Sequence, residues 1–494
     1  MINPLNNFNL LVTGIFVIIG IRTLFWHLQN WQLREYRADR MRAHLQTKEG
    51  RKSIFSLWVF KGILPRPKFT GRIFMIIGIF ILLYLSIFYS VKSVLFTNSI
   101  LLTSIIFERS IFLTVSICVF LSKTPVWISR EILFAKAKKL RKSAKNLTVI
   151  GIAGSYGKSS TKEILVHLLN QEFGTENVLF NPENKNNEVA IARLIIKNKR
   201  FFNCSSTEQG VATQKFLVIE VGAYRRGEIA KVCKFIQPQI SILTGLNAQH
   251  IELFGSQRNI QRAKFEMAEN TNKKVFFNRD NKLLSEIFED RKIKATKIAL
   301  SQSLAQKIKS FPEKTTFGLY GKNFILPWPG EFFVSNGILA LECARECGIK
   351  RADLPNYLKT LPPLDRALKI QPFGKGHILW DLYSANPDGV MSAIDHLSQF
   401  KGNKIFVGMP LRELGEKAEE THGKIFQALN KIKAQIFWCK TDFAYLGEGI
   451  CGKKFHQISK SNLSPLKKVL KKIKKDDVIL CESKLPKEVL DILK

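Results

Sequence analysis

Apolar and polar positions alternate on two length scales along the 494 residues. Before residue 123 the apolar residues come in long runs: 8–26 (FNLLVTGIFVIIGIRTLFW), 73–91 (IFMIIGIFILLYLSIFYSV, free of charge) and about 100–122, the last interrupted by Glu108 and Arg109. As helices, runs of this length match the hydrocarbon thickness of a bilayer. The first has neither a basic leader nor a small-residue cleavage site, so three membrane-spanning helices are expected rather than a removed signal. From Leu147 the texture changes to short apolar runs: LTVIGIAG, FLVIEVGA, ISILTG, KVFFN, then HILWDL, KIFVGM, AQIFWC and DVILCE, with helical periodicity between them. That alternation predicts parallel α/β sheets with crossover helices. The proline-bearing stretch 354–370 (LPNYLKTLPPLDRALKI) is the expected joint. The expected architecture is therefore a membrane region over 1–145, a nucleotide-binding central domain with a mostly parallel sheet over 146–355, and a C-terminal Rossmann-like α/β domain over 356–494.

Charge adds an orientation. Residues 27–72 hold eleven Lys/Arg against three acids, and 123–145 hold eight against one. The positive-inside rule puts both segments, and everything after residue 123, on the cytoplasmic side of a multi-pass inner-membrane protein. The net charge of +36 is dispersed along the chain, so no nucleic-acid partner is expected. The eight cysteines form no CxxC pair, which excludes a zinc ribbon or a disulfide framework and fits reduced thiols. Cys343 and Cys347, four residues apart, read as one packed helix face. The stretch 466–475 (LKKVLKKIKK) reads as an amphipathic helix on the last sheet.

The chemistry enters at residues 151–165, GIAGSYGKSSTKEIL. A strand runs into glycines and then a helix, so that backbone N–H groups and the helix N-terminus face a phosphate. Gly154, Ser155, Gly157, Lys158, Ser159 and Ser160 are the expected nucleotide contacts. Lys158 reaches the terminal phosphates and Ser159 is placed for Mg²⁺.

The GxxGxxGKSST form resembles the Mur ligases, ATP-dependent enzymes that add amino acids or peptides to cell-wall muropeptides. Further matches follow in order: NPENKNNEVAIARLI (181–195), VIEVGAYRRGEIA with AQHIELFGSQRNIQRAKFEM (218–267), NRDN (278–281), LDRALKI (364–370) and WDLYSANPDGVMSAI (380–394). They resemble most the branch that adds D-alanyl-D-alanine. The resemblance implies that a carboxylate attacks the γ-phosphate of ATP to give an acyl phosphate, which an amine displaces. It implies Lys158 on the phosphates; Ser159, Glu220, His250 and a carbamylated Lys264 around Mg²⁺; and Asn278, Asp280, Asn336, Arg366 and Asp381 on the nucleotide, with Arg366 at the γ-phosphate and Asp381 at the ribose. Asn184, Asn186, Asn187, Tyr383 and Asn386 would hold the muropeptide. The implied cofactors are ATP and Mg²⁺. The implied partners are a UDP-linked or lipid-linked muropeptide, D-alanyl-D-alanine or another amine, and inner-membrane lipid.

Three departures stand out. GEFFVSN (330–336) has Phe332 and Phe333 where the family has His and Asn, GMPLRELG (408–415) lacks the family's acid, and a KGS-type turn reads CESK (481–484). The small domain that grips the UDP sugar in usual members is replaced by the apolar front. Two alternatives stay open at this level: a related ligase with another acceptor, such as those that extend folate, and a nucleotide-binding membrane scaffold without catalysis.

Overall fold

The computed structural model describes residues 4–46, 66–95, 100–144, 146–182, 185–203, 214–247, 251–363, 368–382, 386–411, 414–459 and 461–493. The chain divides into two compact units, Met1–Ile132 and Leu133–Lys494.

The first unit is helical, with helices over Pro4–Leu33, Ala38–Gln46, Gly71–Leu95 and Ile100–Leu121. Leu28, Trp31, Ile73, Ile76, Ile111, Val115 and Cys118 form one buried cluster, while other apolar residues of the same helices, such as Ile18, Leu82 and Leu113, are exposed. Trp31 Nε1 donates to Ser116 Oγ at 3.3 Å, and the Arg72 guanidinium donates to Ser122 Oγ and stacks 4.0 Å from the Tyr36 ring. The expected three spans and multi-pass inner-membrane location are corrected here. Among the described residues one helix, Ser110–Ser143, is long and apolar enough to cross a bilayer, with mean hydropathy 1.8, and the apolar helix Gly71–Ser86 is shorter. Apolar length alone does not separate a span from a helix buried against other helices. Thr23, His27, Thr114 and Ser122 are polar groups buried inside the unit. The inner-membrane lipid partner goes with that correction.

The second unit is built on two sheets. The central one comprises β1 (Leu147–Ala153), β2 (Val178–Phe180), β3 (Lys215–Glu220), β4 (Ile240–Leu243), β5 (Lys274–Asn278) and β6 (Thr296–Leu300), in the order β2-β3-β1-β4-β5-β6. All its pairings are parallel. Both faces are covered, which is why LTVIGIA and FLVIE read as continuous apolar runs. Ile164, Leu165 and Leu168 of helix Lys158–Phe173, with Val334, Ile338 and Leu341 of helix Phe332–Glu346, pack on one face. Ile191, Ile195, Ile229 and Val232 of helices Glu188–Lys197 and Glu228–Ile236 pack on the other. Parallel topology delivers every strand's C-terminal end to one edge, where the loops meet.

A three-stranded antiparallel sheet follows, β7 (Gln306–Ser310), β8 (Thr315–Leu319) and β9 (Lys322–Leu326). The last sheet comprises β10 (Lys369–Phe373), β11 (Gly376–Asp381), β12 (Lys404–Gly408), β13 (Gln435–Trp438), β14 (Phe455–Gln457) and β15 (Val478–Glu482), in the order β10-β11-β15-β12-β13-β14. Only β10 is antiparallel to its neighbour. The amphipathic stretch behaves as read: a helix over Ser464–Leu470 buries Leu466 against this sheet, with Ile473 beyond it. Cys343 and Cys347 are buried free thiols of one helix face.

Helix Lys123–Ser143 is fastened to the central sheet by its end. Phe134 stacks on Phe235 with centroids 5.3 Å apart. Arg141 donates to Ile236 O at 2.8 Å, Gln237 O at 3.0 Å and Gln237 Oε1 at 3.1 Å. Replacing Arg141 with Ala strips two carbonyls of a charged donor, and we expect a loss of about 2 kcal/mol in urea unfolding of the full chain. An unchanged midpoint would show the clamp to be idle.

A buried carboxylate beside a phosphate loop

β1 ends at Ala153, and the helix begins at Lys158 with Gly157 as its N-cap residue in the left-handed region, φ 76°. A side chain at Gly157 would bring its Cβ to 2.6 Å from Asn336 Oδ1, and one at Gly154 would bring it to 2.2 Å from Thr244 Oγ1. The loop is therefore shaped by backbone approach that only glycine permits. Ser155 N donates to Gly245 O at 2.7 Å, and the Thr244 hydroxyl donates to Tyr156 O, so the loop is tied to the end of β4. The helix start has no side-chain cap, which leaves its first amides and their partial positive charge open to an anion. Lys158 Nζ folds back onto Gly154 O (2.9 Å) and Ser155 O (3.1 Å). Ser155 Oγ and Thr161 Oγ1 are buried without a partner among the described residues. Open amides, an ammonium held only by loop carbonyls, and idle hydroxyls fit a polyphosphate.

Across the cradle stands Glu220, the last residue of β3, 3% exposed. Parallel pairing puts it in register with Ile152, one residue before the end of β1. Ser159 Oγ donates to Glu220 Oε2 at 2.9 Å, Lys162 Nζ lies 3.4 Å from the same oxygen, and Asn186 Nδ2 is 3.4 Å from Oε1. The backbone is held as firmly: Asn181 Oδ1 accepts from Glu220 N at 2.8 Å, Asn181 Nδ2 donates to Glu220 O at 3.0 Å, and Lys162 Nζ donates to Asn181 O at 3.0 Å. Ser159 and Glu220 offer the hard oxygen donors that suit Mg²⁺. Among the described residues no three His, Cys, Asp or Glu side chains cluster as a metal site.

Lys264 completes the group. It lies on helix Gln257–Glu269, 4% exposed, and donates to Ala223 O at 2.9 Å. Burial, then the nearby Lys158 ammonium, lower its pKa to about 7 against the opposing pull of Glu228, Glu266 and Glu220. Burial likewise lowers Lys158, with Glu220 pulling the other way. Lys162 is in contact with Glu220, while Lys158 and Lys264 feel its charge without touching it, held instead by backbone carbonyls.

The remaining expected residues fall into three groups. Asn336 Nδ2 donates to Ser160 Oγ at 3.1 Å beside the loop. Asn278 Oδ1 accepts from Asp280 N at 3.0 Å, and Asp280 accepts from Ser301 Oγ and Gln302 N, each at 2.6 Å, at the same sheet edge. Asn187 and Asn386 have structural duties, as N-caps accepting from Ala190 N (2.9 Å) and Gly389 N (3.0 Å). Asp381 ends β11, buried. Asn184, His250, Arg366 and Tyr383 lie outside the described residues. Phe332 and Phe333 fill their positions with an aromatic cluster: their centroids are 4.1 Å apart, and Phe333 meets Trp328 edge-on at 5.3 Å.

Several site residues escape the sequence reading. Lys162 stands four residues after Lys158, and Asn181 opens the asparagine-rich run. Tyr156 OH accepts from Asn281 Nδ2 at 3.1 Å. Asn247 Nδ2 donates to Asp388 Oδ2 at 2.7 Å, joining the end of the central sheet to the helix Pro387–Ser398 of the last one.

Comparison with known proteins bears on the fold. Residues 152–344 match the Mur ligase middle domain. The chain is 26% identical over 330 residues to the UDP-N-acetylmuramoyl-tripeptide--D-alanyl-D-alanine ligase of Haemophilus influenzae, covering 65% of this chain and 69% of that protein. Its fold is similar to that of MurF from Acinetobacter baumannii, with TM-score 0.63 and 21% identity over 74% of this chain and 80% of that one. It is also similar to that of MurF ligase from Thermotoga maritima in complex with ADP, with TM-score 0.61 and 23% identity over 74% and 83%.

The Glu220–Lys162 pair gives a direct test. Lys162→Met leaves a buried carboxylate without its counter-ion, and we expect about 3 kcal/mol less stability in urea unfolding. Adding Glu220→Gln to that variant should restore most of the loss. A double variant no more stable than the single one would mean that the two charges are not coupled.

Proposed function

The chain belongs to the Mur ligase family, and we propose that it joins the carboxylate of a UDP-linked muramoyl-tripeptide to the amine of D-alanyl-D-alanine at the expense of ATP, in peptidoglycan precursor synthesis. The observation that carries the proposal is the meeting of Ser159 and Lys162 on the buried Glu220 at the mouth of a phosphate loop whose Lys158 is held only by loop carbonyls. The names of the matched relatives support the choice of substrates, and the ADP complex of a protein of similar fold supports the nucleotide.

The chemistry has two displacements. A substrate carboxylate oxygen attacks the γ-phosphorus as the bond to ADP breaks, giving an acyl phosphate. The neutral amine then attacks the acyl carbon; the C–N bond forms, phosphate leaves, and the amine gives up a proton. Catalysis here is alignment and charge neutralisation. The loop amides and Lys158 bind the phosphates. Asn278 and Asp280 bracket the nucleotide beside them, and Asn186 faces the muropeptide. Ser159 and Glu220 would hold Mg²⁺, which supplies further neutralisation of phosphate charge. Lys264, with a pKa near neutrality, carries a neutral amine able to add CO₂, which turns a buried cation into a carboxylate: R–NH₂ and CO₂ give R–NH–COO⁻ and H⁺. Asn247 and Asp388 hold the last sheet's helix against the site, so that closure excludes water from the acyl phosphate.

Phosphate release from ATP should require both the muramoyl-tripeptide and the dipeptide, with the amide product seen by mass spectrometry. Lys158→Ala and Glu220→Gln should each lower kcat by about 10²–10³. Absence of substrate-dependent turnover in the native chain would end the proposal.

Lys264 is tested by its pH profile. Its pKa is lowered to about 7, so the neutral form is half populated there and largely complete one pH unit higher, whereas an ordinary lysine is still protonated. Carbamoylation by cyanate, read by peptide mass spectrometry, should therefore favour Lys264 and level off above neutrality. A rate at Lys264 that is still climbing tenfold per pH unit at pH 9 would show an unshifted amine.

A further inference from the structure

The lysine-rich stretch near the C-terminus takes no part in the chemistry above. β14 ends at Gln457, and the chain passes through a turn in which the backbones of Ser459 and Asn462 pair, then into the helix Ser464–Leu470. Leu466 is fully buried against the last sheet, Leu463, Val469 and Leu470 pack partly on the same cluster, and Ile473 follows. The inner side of the segment is thus fixed, and Lys467, Lys468 and Lys471 are exposed on its outer side. With Ser461, Leu463 and Ser464 they line an open hollow of about 470 Å³. The sheet order puts β15, β12 and β13 between β14 and β11. Four strand spacings, about 19 Å, therefore separate this strand from the one that leads to helix Pro387–Ser398. The hollow shares no residue with the phosphate loop.

Its lining is one-sided in charge. Among the described residues that line it there are three ammonium groups and no acid. The ion pairs of the described residues leave Lys467, Lys468 and Lys471 out. Lysines three and four residues apart on one helical face repel each other, a cost that a bound anion removes. The lining also selects among anions. It offers no aromatic ring on which a base could stack. It offers no arginine to grip a carboxylate in a planar fork, whereas lysine meets phosphate oxygens as a point charge from any direction. Its volume falls within the roughly 300–1,000 Å³ of small-molecule sites and exceeds what a single phosphate fills. The Ser464 hydroxyl adds a neutral donor, while Ser461 Oγ lies 3.0 Å from Ser459 Oγ and steadies the rim.

We propose that this hollow is a phosphate site separate from the phosphate loop, and that Lys467, Lys468 and Lys471, with the Ser464 hydroxyl, hold a run of two or three linked phosphate groups. Two sources offer that chemistry, a free inorganic chain and the diphosphate of a nucleotide such as UDP. The site goes beyond the ligase reading and does not depend on it.

Calorimetric titration of the full chain at about 0.15 M salt, where loose surface attraction is screened, is the test. The probes are tripolyphosphate, UDP, orthophosphate and the tricarboxylate tricarballylate, without divalent ions. Tripolyphosphate or UDP should bind at least tenfold more tightly than orthophosphate and tricarballylate. The triple change Lys467→Gln, Lys468→Gln and Lys471→Gln should weaken that binding at least tenfold without lowering the melting temperature, and the same three changes to Arg should keep it within threefold. Changing Lys472, Lys474 and Lys475 to Gln removes equal charge outside the hollow and should alter it less than threefold. In Lys158→Ala, which disables the phosphate loop, the binding that depends on the hollow should persist. Tighter UDP gives the phosphates to a nucleotide and tighter tripolyphosphate gives them to a free chain, and each upholds the site. Equal affinity for tricarballylate, an equal loss in the Lys472, Lys474 and Lys475 variant, or full affinity in the hollow variant overturns the proposal. Amide synthesis by a chain whose hollow takes no phosphate ends this inference and leaves the ligase reading standing, and phosphate binding there by a chain that makes no amide does the reverse.

Discussion

One buried carboxylate sets the terms for this molecule. Glu220 sits where β3 runs out, with its own backbone pinned on both sides by Asn181 and its side chain shared among Ser159, Lys162 and Asn186. A lone anion at this depth would cost several kcal/mol. It is tolerated because the Lys162 ammonium lies against it and Ser159 and Asn186 donate to it, with the charge of Lys158 close by. The phosphate loop, the asparagine-rich segment and the helix bearing Lys264 come from distant parts of the chain. Their common address is the C-terminal edge of a parallel sheet, where β1 and β3 finish side by side.

That arrangement is deliberately unbalanced. Lys158 has only loop carbonyls for company, and Lys264 is desolvated until its charged and neutral forms nearly match at neutral pH. Such groups weaken the fold and ready it for anionic ligands, whose binding relieves the excess positive charge. Lys162 is different. With a carboxylate at 3.4 Å and a carbonyl at 3.0 Å, it is spent on structure, and it keeps Glu220 aimed.

Much of the second unit is legible in the sequence because its strands are covered on both faces. LTVIGIA, ISIL, KVFFN, KIFVG and VILCE carry their burial as uninterrupted apolar letters, and each is a strand. The short or half-exposed strands β2, β6 and β7–β9 lack that signature; β6 reads TKIAL with three exposed residues, and β7 reads QKIKS. The front of the chain is harder to read from letters, because apolar length alone does not separate a span from any other apolar helix, and among the described residues one helix passes that test. The phosphate loop is readable because glycine and lysine spacing follows from phosphate geometry. Lys162 and Asn181 are not, since a lysine on a helix and an asparagine after a strand look like solvent-facing residues until a carboxylate from elsewhere is placed between them. Asn187 and Asn386 show the converse, because asparagines that read as ligand contacts are also the caps on which their helices start.

The bond between Asn247 and Asp388 couples two sheets that are otherwise far apart in sequence. The same Asn247 amide lies 3.4 Å from Asn386 Oδ1, so it meets both the cap and the first turn of helix Pro387–Ser398. This asparagine, in the loop after β4 of the central sheet, thereby fixes where the helix that follows β11 begins, and a rearrangement at either loop edge is passed on to the other.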